Sequence, residues 1–277
     1  MTKMVTLVPS SKPQLFFRIL QVQKQYCPNF DSLIVRVIMP NIISDLMHPK
    51  IFALDIDGTI TDTKGGRVDL DALAALRYME KLGHKVIFVT GRSSVEAYVL
   101  SVFGGTTRIS VGENGGAVTY GPSEHKLLGN KEECLQAFEF LKTKISQTEI
   151  KNVFPRMTEV VLERNFDLDL AKKFVTQNNL PVELSDSHYA FHINSKGINK
   201  AKGLQEVMDM FSVTKDDVIS IGDSETDVPL FKATALSVAL GNAAEDVKSQ
   251  ATMTVAGNAG DGVIEALEYI ELQLSRE

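Results

Sequence analysis

Short runs rich in β-branched and aromatic residues recur along the chain, each ending in a polar or glycine-containing loop. Ile51-Phe52-Ala53-Leu54 leads into Asp55-Ile56-Asp57-Gly58-Thr59. Val86-Ile87-Phe88-Val89 leads into Thr90-Gly91-Arg92, and Ile109-Ser110-Val111 into Gly112-Glu113-Asn114-Gly115-Gly116. Asp217-Val218-Ile219-Ser220-Ile221 leads into Gly222-Asp223-Ser224-Glu225-Thr226-Asp227. Runs of this length and composition predict buried parallel strands. Between the first two, Leu70, Leu73, Leu76, Met79 and Leu82 recur at three-residue spacing, which predicts a helix that Gly83 ends as a C-cap. Strand, helix and strand of these lengths make a βαβ unit. Ser93 with Glu96 forms a capping box for the next helix. The glycines at 112–116 predict a hairpin or sharp turn into Ala117-Val118-Thr119-Tyr120.

From about 125 to 196 the pattern changes. A long amphipathic helix, Lys131 to Ile145, precedes an apolar stretch at 158–162, a helix from Asp167 and two short strands near Val182 and at 190–193. These elements do not continue the βαβ rhythm, so they predict an α+β module inserted between core strands. Such a module would act as a lid that excludes water. The predicted fold is α/β: a Rossmann-like parallel-sheet core from residues 49–124 and 197–277, with an α+β cap over 125–196. Residues 1–48 stand apart as an N-terminal extension. They carry no acid before Asp31, and two apolar runs flank a polar middle. The basic start hints at a targeting peptide but lacks a cleavage signature. Met39 and Met47 lie just before the first strand, so the segment is a dispensable extension or a misassigned start, with a packed functional arm as the third reading.

With 277 residues, 44% hydrophobic and 23% charged, the chain can bury two cores. A net charge of −6 argues against a nucleic-acid partner and requires a local cation for any anionic substrate. Cys27 and Cys134 form no disulfide framework, which suits reduced thiols in the cytoplasm. No apolar run approaches the ~20 residues needed to cross a bilayer, so no membrane partner is expected.

In open α/β sheets, ligands bind at the carboxyl ends of the strands. Asp55 and Asp57 end the first predicted strand, and Asp223 and Asp227 follow the fourth. A bare D-x-D describes many ordinary turns, and G-D-x-x-x-D alone is weak because Asp is common in turns. Two acid pairs at one sheet edge are more specific. They repel each other unless a cation or shared proton compensates, and Mg2+ held by carboxylates and a substrate phosphate would do so. Thr90 taken alone is a strand-end hydroxyl satisfying a local amide. His188 and His192, ~13 Å apart along an extended strand, cannot share one metal and are expected at the surface or core edge.

Asp55-Ile56-Asp57-Gly58-Thr59 resembles the first motif, D-x-D-G-T, of the haloacid dehalogenase superfamily, whose members are mostly phosphatases. The resemblance implies that Asp55 is the nucleophile and Asp57 the general acid/base, with an aspartyl-phosphate splitting one hard step into two. It further implies that Thr90 holds the transferring phosphoryl group and that Asp55, Asp57, Asp223 and Asp227 hold Mg2+. The Glu-Asn-Gly-Gly turn, the stretch Arg156-Met157-Thr158-Glu159-Val160 and the overall layout are similar to large-cap (Cof-like) phosphatases, above all the archaeal-type phosphoglycolate phosphatases. The implied reaction is hydrolysis of a small phosphorylated metabolite, 2-phosphoglycolate, to glycolate and phosphate. Sucrose-phosphate phosphatases share the turn, so a sugar phosphate is the alternative substrate. A non-catalytic phosphate-binding receiver is the alternative of another class, though receivers are single domains of about half this length. Thr226 departs from the family pattern, which often has Asn there.

The family also places a lysine at the start of the helix before the Asp223 strand, beside the nucleophile and phosphate. Lys200 and Lys202 are the candidates. Leu204, Val207, Met208 and Phe211 mark the buried face. Lys200 lies on that face one turn earlier, whereas Lys202 is rotated roughly 160° from Leu204 toward solvent.

Overall fold

The computed structural model describes residues 50–62, 66–187 and 189–274. The expected extension at 1–48 and His188 therefore lie outside the described residues. The chain opens with β1 (Ile51–Leu54), α1 (Leu70–Lys81), β2 (Lys85–Val89), α2 (Ser94–Gly104) and β3 (Ser110–Gly112). A 3-10 turn at Glu113–Gly115 leads to β4 (Ala117–Gly121) and β5 (Glu124–Leu127). Next come α3 (Lys131–Lys144), β6 (Val160–Leu162), α4 (Leu168–Gln177), β7 (Val182–Asp186) and β8 (Phe191–Ser195). The chain ends with α5 (Lys200–Phe211), β9 (Val218–Gly222), α6 (Val228–Lys232), β10 (Leu236–Ala239), α7 (Glu245–Lys248), β11 (Met253–Thr254) and α8 (Ala259–Leu274).

The larger sheet has the order β11-β10-β9-β1-β2-β3-β4-β5. Its pairings are parallel from β11 to β3 and antiparallel at β3–β4 and β4–β5. The chain adds strands on one side of β1 first and on the other side later, so the order reverses between β1 and β9. Ligands bind at such reversals, beyond the carboxyl ends of the strands. The register matches Leu54 with Phe88 and with Ile221. Asp55, Thr90 and Asp223 consequently leave the sheet at one edge. The smaller sheet, β6-β8-β7, is antiparallel and packs with α3 and α4 around its own apolar cluster of Phe138, Leu141, Leu162, Val175 and Ile193. The fold is α/β, with a parallel-rich sheet and a second α+β unit. Among the described residues no helix is long and apolar enough to cross a membrane.

Two details differ from expectation. The large sheet continues to Leu127, past the expected boundary at 124, because β5 folds back on β4. β5 is an edge strand of mostly exposed residues, Glu124-His125-Lys126-Leu127, so it carries no apolar signal. Leu70 is 75% exposed rather than part of the buried stripe of α1. Strict three-residue steps drift ~60° each around a helix, and α1 instead buries Ala72, Ala75, Leu76 and Met79. Asp69 caps α1 by accepting from the amides of Asp71 and Ala72, and the Ser93–Glu96 capping box opens α2 as expected.

The turn after β3 also behaves as its glycines predict. Glu113, Asn114 and Gly115 take φ of 55°, 53° and 97°. Left-handed backbone is uncommon for the first two. A Cβ on Gly115 would stand 1.9 Å from the carbonyl oxygen of Asn199. Only glycine therefore lets α5 begin directly against this turn.

Candidate active site

β1 delivers Asp55 to the sheet edge, where its amide donates to Ile221 O at 3.1 Å and its side chain is buried. Asn199 caps α5 by accepting from the Lys202 amide at 3.1 Å. That start turns Lys200 inward, 1% exposed, and leaves Lys202 exposed, as the helical phase predicts. Lys200 Nζ stands 3.0 Å from Asp55 Oδ1 and 2.7 Å from Asp227 Oδ1. The other oxygen of Asp227 closes the loop after β9, accepting from the amides of Asp223 (3.1 Å) and Ser224 (3.0 Å) and from Ser224 Oγ (2.9 Å). Asp223 is held from both sides, by Thr59 Oγ1 at 2.8 Å and Asn242 Nδ2 at 2.9 Å. Asn242 also donates to Gly58 O at 2.9 Å and accepts from the Ala259 amide at 2.8 Å.

One carboxylate oxygen each from Asp55, Asp223 and Asp227 lies within 4.8 Å of the others. Burial pushes Asp55 up to about 8, with Lys200 pulling it back and Asp227, Asp223 and Asp57 adding to the rise. Burial, then Asp227, raises Asp223 to about 6. Burial works against the charge of Lys200, but Asp227 and Asp55 more than offset it and hold its pKa above the usual range. Three close acids facing one ammonium leave excess negative charge in a poorly solvated place. Hard oxygen donors with a charge deficit of this kind fit a small divalent cation.

The carboxylate of Asp57, expected beside the other three, lies outside this cluster. The amides of Thr59, Ile60 and Thr61 all donate to Ile56 O, at 3.2, 2.9 and 3.1 Å. This tight turn swings Asp57 outward, where its half-exposed carboxylate receives Arg92 Nε and Nη2, both at 2.7 Å. Gly58 makes the turn possible: its φ is +76°, and a Cβ there would stand 2.4 Å from Asp223 Oδ2. Thr90 is fully buried at the same edge, and its Oγ1 accepts from the Arg92 amide at 3.1 Å. That bond uses the oxygen and leaves the hydroxyl proton to donate elsewhere. Thr226 Oγ1 pairs with Ser224 Oγ at 2.9 Å, beside the loop that carries Asp227.

The geometry agrees with what the chain matches. A family model for haloacid dehalogenase-like hydrolases matches residues 52–178 and 129–267. The chain belongs to the haloacid dehalogenase-like hydrolases. It is 61% identical over 229 residues to a phosphoglycolate phosphatase of Nitrosopumilus maritimus, covering 83% of this chain and 99% of that protein. A phosphoglycolate phosphatase of Methanosarcina mazei is 36% identical over 226 residues, covering 81% and 98%. Among solved structures, Thermoplasma acidophilum 0175 superposes with a TM-score of 0.74 at 23% identity, covering 82% of this chain and all of that one. A haloacid dehalogenase-like hydrolase from Bacteroides thetaiotaomicron gives 0.67 at 19%, covering 80% and 100%; both likenesses concern the fold.

In this haloacid dehalogenase-like hydrolase a second polar cluster joins the two sheets. Glu113, fully buried, accepts from the amides of Met157 (3.0 and 2.9 Å) and Thr158 (2.7 Å) and from Thr158 Oγ1 (2.8 Å). Burial raises the Glu113 pKa, and the hydrogen bonds from Met157 and Thr158 draw it back. Glu159, equally buried, accepts from His192 Nδ1 at 2.9 Å and Asn194 Nδ2 at 3.1 Å. Burial opposes its charge, but His192, Arg156 and Asn194 prevail and hold it below the usual range. His192 is thus 2% exposed inside the smaller unit, not at a surface, and its Nε2 meets Ser187 Oγ at 3.0 Å. Arg156 Nη1 crosses to the larger unit and donates to Gly91 O at 3.0 Å.

Sequence reasoning assigned no role to Asn242, Thr59, Arg92 or Glu113. Thr59 closes the D-x-D-G-T stretch and Arg92 follows Thr90-Gly91, so both carry polar groups at strand ends, a signal that could have found them. Asn242 reaches Gly58 from 184 residues away, a pairing that local pattern does not encode.

Proposed function

We propose that this hydrolase is a Mg2+-dependent phosphatase that converts 2-phosphoglycolate to glycolate and phosphate. The observation that carries the reading is Lys200, buried between Asp55 and Asp227, with Asp223 in the same cluster. The 61% identity to a phosphoglycolate phosphatase over most of both chains supports the substrate.

In this reading Asp55 attacks phosphorus in line with the departing ester oxygen, and the phosphoryl group passes to its carboxylate. Lys200 neutralises charge on the phosphoryl oxygens and orients Asp55. Thr90 donates its hydroxyl to the same group. Asp57 protonates the leaving alkoxide and then takes a proton from the water that hydrolyses the aspartyl-phosphate. Both Asp57 oxygens accept from Arg92, so this contact opens when Asp57 carries its proton to the leaving group. Asp55, Asp223 and Asp227 would hold Mg2+, which would offset negative charge on the nucleophile and the phosphoryl group. The smaller α+β unit serves as a lid over this edge. A reduced, buried Cys134 suits a cytoplasmic setting.

Phosphate release from a panel of phosphate monoesters tests the reading. With Mg2+, 2-phosphoglycolate should show the highest kcat/KM, and excess chelator should abolish turnover until Mg2+ is restored. Preference for sugar phosphates would reassign the substrate, and full activity in chelator would remove the metal from the account.

A further inference from the structure

Arg156 lies in the loop ahead of β6, yet its side chain is only 7% exposed. Its Nη1 is fixed from two sides, donating to Gly91 O at 3.0 Å and standing 3.5 Å from Glu159 Oε1. Its Nε is buried and has no hydrogen-bond partner. A charged donor buried without a partner is costly, so such a group in a native structure calls for an acceptor that arrives. Nε and the adjacent Nη2 form the edge of a guanidinium that grips a carboxylate with two parallel bonds.

The place of this edge narrows the acceptor. Gly91 directly follows Thr90, which stands at the same sheet edge as Asp55. The guanidinium is therefore tied to the loop that carries the proposed phosphoryl-binding hydroxyl. Among the described residues, two other cations at this edge are committed: Arg92 gives Nε and Nη2 to Asp57, and Lys200 lies between Asp55 and Asp227. Glu159 faces Arg156 from the Nη1 side, and its Oε2 is taken by His192 and Asn194. These contacts hold the guanidinium in place while its enclosed Nε has no acceptor, so little freedom is lost when an anion reaches it.

We infer that Arg156 is the specificity residue of this enzyme, and that its Nε edge binds the carboxylate of the phosphate ester. The inference rests on the proposed phosphatase reading and deepens it. In 2-phosphoglycolate one methylene separates the carboxylate from the ester oxygen. That carboxylate reaches only groups bordering the phosphoryl site, which the loop through Gly91 does. An ester without a carboxylate would leave the edge unpaired, and a site built around a charged donor discriminates strongly against such a ligand.

Steady-state kinetics on two esters tests this. The readout is the ratio of kcat/KM for 2-phosphoglycolate to that for p-nitrophenyl phosphate, which has no carboxylate. In Arg156→Gln the ratio should fall about 100-fold, mainly through a higher KM for 2-phosphoglycolate. Arg156→Lys keeps the charge but not the fork, and should fall about tenfold; it also serves if the Gln variant folds poorly. A ratio unchanged in these variants, however large the loss on both esters, would overturn the inference and make Arg156 a brace for Gly91. Wild-type enzyme that hydrolyses p-nitrophenyl phosphate but not 2-phosphoglycolate would instead refute the substrate reading. The same ratio taken with 3-phosphoglycerate would then decide the role of Arg156.

Discussion

Among the described residues, two buried clusters of acids are built on opposite terms. At the edge of the large sheet, Asp55, Asp223 and Asp227 crowd within 4.8 Å and share Lys200, and burial drives Asp55 up to about 8. At the junction of the two sheets, Glu113 is saturated by two amides and a hydroxyl, while Glu159 is paired with His192, Asn194 and Arg156. The first cluster is short of positive charge and so suits a cation. The second is largely satisfied by the protein itself and so fixes one unit against the other. The difference shows that burying a carboxylate does not by itself make a reactive site. What matters is whether the chain supplies the partners or leaves them to a ligand.

The comparison can be broken most directly at the edge cluster. Asp55→Asn should lower kcat by at least about 1,000-fold while melting within a few degrees of wild type, because an amide is a poor nucleophile and loses a ligand charge. Lys200→Ala should also lose most activity, and it leaves two buried carboxylates without their cation. Retention of more than a trace of activity by Asp55→Asn would show that this acid is not the nucleophile.

The junction should fail in the other currency, stability. Glu113→Ala strands the buried amides of Met157 and Thr158, at a cost of roughly 3 kcal/mol by chemical denaturation. Glu113→Gln keeps an acceptor and should cost less. An unchanged denaturation midpoint for Glu113→Ala would remove the contrast between the clusters. The smallest effect belongs to Lys202→Ala, which should match wild type in kinetics and melting, since Lys202 is exposed on the side of α5 opposite Lys200. A loss equal to that of Lys200→Ala would contradict the assignment.

Much of the fold was legible because its signals are local. Apolar runs with abrupt polar ends gave the strands of the parallel sheet, and Ser93 with Glu96 gave the start of α2. Helical phase distinguished Lys200 from Lys202 because the buried stripe of α5 extends over three turns. β5 was not legible, since an exposed edge strand needs no apolar face. Asp57 was placed with the other acids on the strength of its neighbour Asp55. The turn built on Ile56 O and Gly58 sends it instead to Arg92, 35 residues away. The junction was hidden for the same reason. Glu113 and Thr158 look like ordinary loop polar groups until a contact 45 residues apart in sequence brings them together.

The central claim is that Asp55 receives the phosphoryl group and Asp57 governs its release. Asp57→Asn, incubated with p-nitrophenyl phosphate and Mg2+ and quenched in acid, offers the most direct measurement. Nitrophenolate leaves without a proton, so loss of Asp57 slows mainly the hydrolysis step; the phosphorylated form should accumulate, and peptide mass spectrometry should find one phosphate on Asp55. Phosphate on another residue, or turnover in this variant at the wild-type rate, would contradict the account.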